Sequence, residues 1–171
     1  MLKILYEDNH LIAINKKSGD IVQGDKTGDT PLSDFVKAYI KKKYNKPGEV
    51  FLGTIHRLDR PTSGVVLYAR TSKALARMNE QFKNKQVQKT YWAVVDNPPP
   101  NSSGTLENYL QKNQKQNKSY VTKTNEGKHA VLEYKLLKKL ENFYHLEIKP
   151  KTGRHHQIRI QLAHIGCIIK G

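Results

Sequence analysis

Apolar and polar residues alternate at the start of the chain. Leu2, Ile4 and Tyr6 share one face of an extended segment, Asp8-Asn9 supplies turn chemistry, and Leu11 to Ile14 is apolar again. This pattern predicts a β-hairpin or two short strands. A glycine-punctuated loop from Ser18 to Asp29 follows, within which Gly24-Asp25-Lys26-Thr27-Gly28 reads as a turn, since it lacks the Gly-Lys-Ser/Thr ending of a phosphate loop. Thr30 is expected to cap a helix with Pro31 at its first position. Leu32, Phe35, Val36, Tyr39 and Ile40 keep helical spacing, and the helix should end near Asn45, before Pro47-Gly48.

Val65, Val66, Leu67 and Tyr68 form an apolar run that predicts a buried strand. It leads to a helix capped by Thr71 or Ser72, with Ala74, Leu75, Met78 and Phe82 along one face. Tyr91 to Val95 reads as a strand stopped by Pro98-Pro99-Pro100, and the polar stretch Asn113 to Lys118 as an exposed, mobile loop. Ala130 to Leu140 and Tyr144 to Ile148 predict an antiparallel pair around a turn at Glu141-Asn142, with Lys149 to Gly153 as the loop that follows. Ile158, Leu162 and Ile165 then mark a helical face that Gly166 ends. Strands and helices without regular βαβ alternation argue for an α+β fold, and 171 residues suit one compact domain.

Charge narrows the function. Lys+Arg number 30 against 15 Asp+Glu, a formal net charge of +15, which points to a polyanion and first to nucleic acid. A solubilising lysine surface is the plainer reading. The opening residues are broken by Lys3, Glu7, Asp8 and His10, which fits neither a signal peptide nor a membrane span, and a reducing cytoplasm is expected. The lone Cys167 lies in an apolar run and reads as a buried structural thiol. His155-His156 are adjacent and on a helix would point apart; with no second Cys or local acidic ligand, no metal site is expected.

Three polar clusters carry candidate chemistry. In His56-Arg57-Leu58-Asp59-Arg60-Pro61-Thr62-Ser63-Gly64, Asp59 sits between arginines, which favour the ionised form needed for nucleophilic attack or proton abstraction. Lys89-Thr90-Tyr91 is the second cluster. The third, Thr152-Gly153-Arg154-His155-His156-Gln157-Ile158-Arg159, is expected to open a helix whose first turn faces a phosphate or carboxylate. Arg159, close to apolar neighbours, calls for a partner, and Asp59 is a candidate. A purely structural Arg159–Asp59 pair, and core packing for Tyr91 and Trp92, remain open beside these readings.

Taken in order, these strings resemble RluA-type RNA pseudouridine synthases. His56-Arg57-Leu58-Asp59 with Thr62-Ser63-Gly64 resembles the family signature, Lys89-Thr90-Tyr91-Trp92-Ala93 its Lys-x-Tyr-x-Ala strand, and Thr152 to Arg159 its Thr-Gly-Arg-x-His-Gln-Ile-Arg segment. Asn15-Lys16-Lys17-Ser18-Gly19 is similar to an Asn-Lys-Pro-x-Gly segment, with Lys17 in place of proline. The resemblance implies a pseudouridine synthase catalytic domain, with a largely antiparallel mixed sheet and flanking helices, that converts uridine in ribosomal or transfer RNA to pseudouridine without cofactor or metal. It implies Asp59 as nucleophile or base, Tyr91 stacked on the uracil and assisting proton removal, and Arg159 paired with Asp59. Arg57 would enter the RNA helix where the flipped nucleotide leaves it, and His56, Thr62, Arg154, His156 and Gln157 would join it as RNA contacts.

Against the family pattern, His155 and Cys167 replace the more usual residues, and the sequence stops at Ile169-Lys170-Gly171. The expectation is a monomeric single domain over 1–171, lacking the family's C-terminal elements and any N-terminal S4 module, with a sheet edge left uncovered. A non-catalytic RNA-binding or folding module that keeps the synthase fold is the alternative, and a metal-dependent nuclease is disfavoured by the ligand count.

Overall fold

The computed structural model describes residues 2–25, 27–113, 118–123 and 126–170. The chain divides into two compact units, Met1–Gln86 and Val87–Gly171. The expected α+β class holds in both.

In the first unit, β1 (Ile4–Glu7) and β2 (Leu11–Lys16) form the predicted hairpin. Its turn is closed by Asp8, whose Oδ1 accepts the His10 and Leu11 N–H groups at 2.7 and 2.6 Å. Helix α1 (Leu32–Lys43), strands β3 (Gly53–Thr54) and β4 (Gly64–Ala69) and helix α2 (Ser72–Lys83) follow. The sheet order is β1-β2-β4-β3, with antiparallel ladders. Ile12 and Ile14 of β2, Val66 and Tyr68 of β4, and Leu32, Val36 and Ile40 of α1 make one core with Val22. Each such aliphatic contributes about 1.5–3 kcal/mol on burial. The Tyr68 hydroxyl donates to the Val22 carbonyl at 2.7 Å, and burial pushes its pKa up. Where β3 approaches α2 the fit is close: a Cβ on Gly53 would meet the Leu75 side chain at 2.7 Å, so a larger residue there would require Leu75 to shift.

Two details of this unit depart from expectation. Helix α1 is flanked by Pro31 as N-cap rather than Thr30, because the Leu32 and Ser33 amides donate to the Ile21 and Val22 carbonyls and need no capping side chain. Phe35 and Val65 fall on outward faces of α1 and β4 and are exposed.

In the second unit, β5 (Tyr91–Val95), β6 (Ser103–Asn113), β7 (Lys118–Thr122), β8 (Lys128–Lys139) and β9 (Tyr144–Pro150) form an antiparallel sheet of order β5-β9-β8-β6-β7. Helix α3 (Gln157–His164) packs Leu162 onto the core of Ala93, Val95, Leu132, Tyr134, Leu146 and Ile148. Cys167 belongs to that core, and burial, helped by Asp96, pushes its thiol pKa up. At the β5 edge, Lys170 N–H donates to Val94 O at 2.8 Å and Asp96 N–H to Ile168 O at 3.1 Å. β6 and β7 were not expected. β6 carries Glu107, Asn108, Gln111, Lys112 and Asn113, and the end of the hairpin pairs Asn113 with Lys118. Of the loop read at Asn113 to Lys118, residues 114–117 lie outside the described residues, as does Lys26 in the Gly24 to Gly28 segment.

Helix α3 starts at Gln157, not at Thr152-Gly153. His156 takes a left-handed conformation (φ 52°) just before it, so Arg154, His155 and His156 precede the helix instead of filling its first turn. For the same reason the adjacent His155 and His156 rings do not point apart but stack, with centroids 3.8 Å apart.

Candidate active site

The Asp59 motif occupies the connection from β3 to β4 and is fixed at several points. Leu58 packs against the first unit's core. Thr62 N–H donates to Asp59 O at 3.0 Å and closes a turn at Pro61, and Gly64 follows at φ 135°, a conformation that favours glycine. Asp59 and Arg57 are exposed, and Thr62 is half-buried. His56 is turned inward. Its Nε2 accepts the Leu67 N–H of β4 at 3.1 Å, and its ring stacks on Phe82 of α2 at 5.4 Å, so it holds the start of the loop to both elements. Arg60 NH1 pairs with Asp29 at 2.8 Å, which directs one of the two arginines beside Asp59 to another carboxylate.

Lys16 lies in the Asn15 to Gly19 segment, at the end of β2. It is fully buried, and its Nζ donates to the carbonyls of Lys17, Arg60 and Thr62 at 3.0, 3.0 and 2.7 Å. The signal was the period of two in β2, which puts Lys16 on the same inward face as Ile12 and Ile14. A charge at the end of a core-facing row needs internal partners.

In the second unit the two aromatics of β5 part company. Tyr91, opposite Ile148 of β9, packs on the core, whereas Trp92 faces the other way, is 72% exposed and meets His145 edge-on at 5.3 Å. Core packing therefore does not describe Trp92. Burial pushes the pKa of Lys89, before the strand, down.

The segment before α3 is organised by Gln157, which is 4% exposed. Its Oε1 accepts the Arg154 N–H at 2.9 Å and the Thr152 hydroxyl at 2.8 Å, and its Nε2 donates to Val131 O at 3.0 Å. Two of the amides expected to face an anion are turned inward instead, that of Arg154 to Gln157 Oε1 and that of Gln157 to the Arg154 carbonyl. Arg154 is exposed and anchored through Nε to His129 O at 2.8 Å. His155 Nδ1 lies 2.9 Å from the Ser119 hydroxyl, and Arg159 is half-buried in the first turn of α3. Among the described residues no group of His, Cys, Asp and Glu is arranged to hold a metal, and no helix is long and apolar enough to cross a membrane.

The first unit carries an exposed aspartate on an anchored turn; the second carries a tyrosine, an arginine and an organised basic loop. Residues 10–164 match the family model described as RNA pseudouridylate synthase, and the chain belongs to that family, in its RluA-type branch. It is 33% identical over 173 residues to a ribosomal large subunit pseudouridine synthase D of Borreliella burgdorferi, covering 99% of this chain and 53% of that one. With a ribosomal large subunit pseudouridine synthase C of Buchnera aphidicola subsp. Schizaphis graminum the identity is 39% over 164 residues, or 95% and 50% of the two chains. The chain spans about half the length of these curated relatives. The solved structure of human RNA pseudouridylate synthase domain containing 4 superposes with a TM-score of 0.82 at 27% identity, covering 97% of this chain and 66% of that one.

Proposed function

We propose that this chain converts uridine in RNA to pseudouridine, with Asp59 as the acting carboxylate. The observation that carries the reading is the family match across residues 10–164, which includes the Asp59 turn. The reaction breaks the bond from C1′ to the base nitrogen, turns the uracil, and joins C1′ to C5, whose proton is released. It needs one carboxylate, as nucleophile or base, and a closed pocket. A stacked uridine hides C1′, so the base must be flipped out at a cost of a few kcal/mol. Tyr91 is assigned to stack on the base and assist proton removal, Arg57 to take its place in the RNA, and Arg159 to be the counter-charge of Asp59. Thr62, Arg154 and His156 are assigned RNA contacts, while His56 and Gln157, held by internal bonds, would act by shaping the loops that carry the others. Ribosomal RNA is the proposed substrate, from the names of the relatives, with transfer RNA as the second candidate. The enzyme is proposed to act in the cytoplasm as a monomer.

Release of tritium from RNA labelled at uracil C5 tests the reading. Wild type should release it, and Asp59→Asn should be slower by about 10³-fold, the scale of losing an acid–base group. Equal release by both would remove Asp59 from the reaction. RNA binding by wild type without any release would favour the non-catalytic module.

A further inference from the structure

Helix α1 ends in a concentration of exposed ammonium groups. Lys37, Lys41 and Lys42 are exposed on the helix and Lys46 just after it. The chain reverses at Asn45, in the left-handed conformation (φ 47°), and the Lys46 N–H donates to Lys41 O at 3.1 Å, which folds Lys46 back beside the last turn. Lys43 is used differently. It pairs with Glu7 at 2.7 Å, and the Tyr39 and Tyr44 hydroxyls donate to the same carboxylate, so this end of α1 is fastened to β1. Among the described residues no carboxylate lies within ion-pair distance of Lys37, Lys41, Lys42 or Lys46. The helix dipole favours cations in the last turn but does not account for Lys37, a turn earlier, which Lys41 repels. A phosphate chain would relieve that repulsion.

The strand register places the cluster at the far end of the sheet from Asp59. Lys16 pairs with Gly64, where the Asp59 loop enters β4, whereas Glu7, which holds α1, pairs with Ile12, next to the Leu11–Ala69 pair at the other end. The six residues of β4, Gly64–Ala69, separate the two ends by about 20 Å. No lysine side chain reaches across that length, so these groups meet the RNA away from the nucleotide at Asp59. Ammonium groups on flexible stems suit phosphates, which position a nucleic acid without reading its bases.

We propose that Lys37, Lys41, Lys42 and Lys46 form a second RNA-binding surface, which holds the phosphate backbone flanking the target nucleotide and contributes affinity without sequence preference. The inference rests on RNA being the partner of this chain.

The test measures binding of in vitro transcribed large-subunit ribosomal RNA across a salt series. Intact wild type is compared with Lys41→Gln/Lys42→Gln, with Lys41→Arg/Lys42→Arg, and with Lys138→Gln/Lys139→Gln, which removes the same charge from the exposed end of β8. The α1 glutamine variant should lower the slope of log affinity against log salt by about two and weaken binding about tenfold at about 100 mM salt. The arginine variant should keep the wild-type slope, and the β8 variant should change it by less than about 0.5. Equal losses in the α1 and β8 variants would reduce the effect to net charge, and an unchanged slope in the α1 glutamine variant would take the RNA elsewhere; either overturns the surface. Tritium release separates this result from the synthase reading. A wild type that binds RNA through α1 and releases no tritium keeps the surface and removes the catalysis, whereas an active wild type whose binding is indifferent to Lys41 and Lys42 does the reverse.

Discussion

Glu7 shows how a single residue joins elements of the first unit. Its carboxylate accepts from the hydroxyls of Tyr39 at 2.9 Å and Tyr44 at 2.8 Å and pairs with Lys43 at 2.7 Å and Arg70 at 3.2 Å, so β1, α1 and the end of β4 meet on it. Burial works against its charge, but the bonds from Lys43, Tyr44 and Tyr39 outweigh it and leave its pKa lowered. Next to it, the Leu11 N–H first, then the Tyr6 hydroxyl and the His10 N–H, hold Asp8 down to about 2. Both folded pKa values are depressed, so the stability they contribute is complete above the unfolded carboxylate value of about 4 and is lost as pH falls through the folded values. The urea midpoint of wild type should therefore drop between about pH 4 and, for Asp8, about 2, and the drop should be shallower in Asp8→Asn. An equally steep drop in that variant would discard the assignment. Glu7→Ala should cost about 3 kcal/mol at neutral pH in the same assay, because the largely buried Arg70 is left without its carboxylate.

At the scale of elements, α2 was legible because its start is encoded locally. Thr71 is extended (φ −139°, ψ 151°) and its hydroxyl accepts the Ala74 N–H at 3.1 Å, the bond a threonine N-cap makes. Thr71→Ala should lower unfolding free energy by about 1 kcal/mol in urea titration, whereas Thr30→Ala, before α1, should change it by less than about 0.5 kcal/mol. Equal losses would contradict the difference between the two starts. The α1 start was misread because its amides are met by Ile21 and Val22, from a loop whose path no local pattern records. β6 was missed for a related reason: it reads as polar, and its Leu106 and Leu110 find a core only when β8 lies beside them. The start of α3 turned on Gln157, whose Nε2 reaches the Val131 carbonyl of β8, a partner no local pattern records. Of the candidate site, the residues of the motifs were legible and the bonds of Lys16 to the Asp59 turn were not, since Lys16 and Thr62 meet only through the β2–β4 ladder.

For the whole molecule the distinguishing quantity is charge. A net +15 fits a partner that releases counterions when bound, and the exposed Lys41 and Lys42 on the last turn of α1 and Arg154 before α3 are suited to phosphate contact. If RNA is the partner and about four phosphates of a single-stranded region are neutralised, affinity should fall roughly 50-fold between about 50 and 200 mM salt. Arg154→Ala should reduce the slope of log affinity against log salt by about one, because Arg154 is exposed and held by its Nε to His129 O. Asp59→Asn should leave that slope as it is, since removing a carboxylate deletes no phosphate contact. Filter binding across the salt series separates these outcomes. An affinity independent of salt would reduce the charge to a solubilising surface, and a slope altered by Asp59→Asn but not by Arg154→Ala would move the RNA path away from the loop before α3.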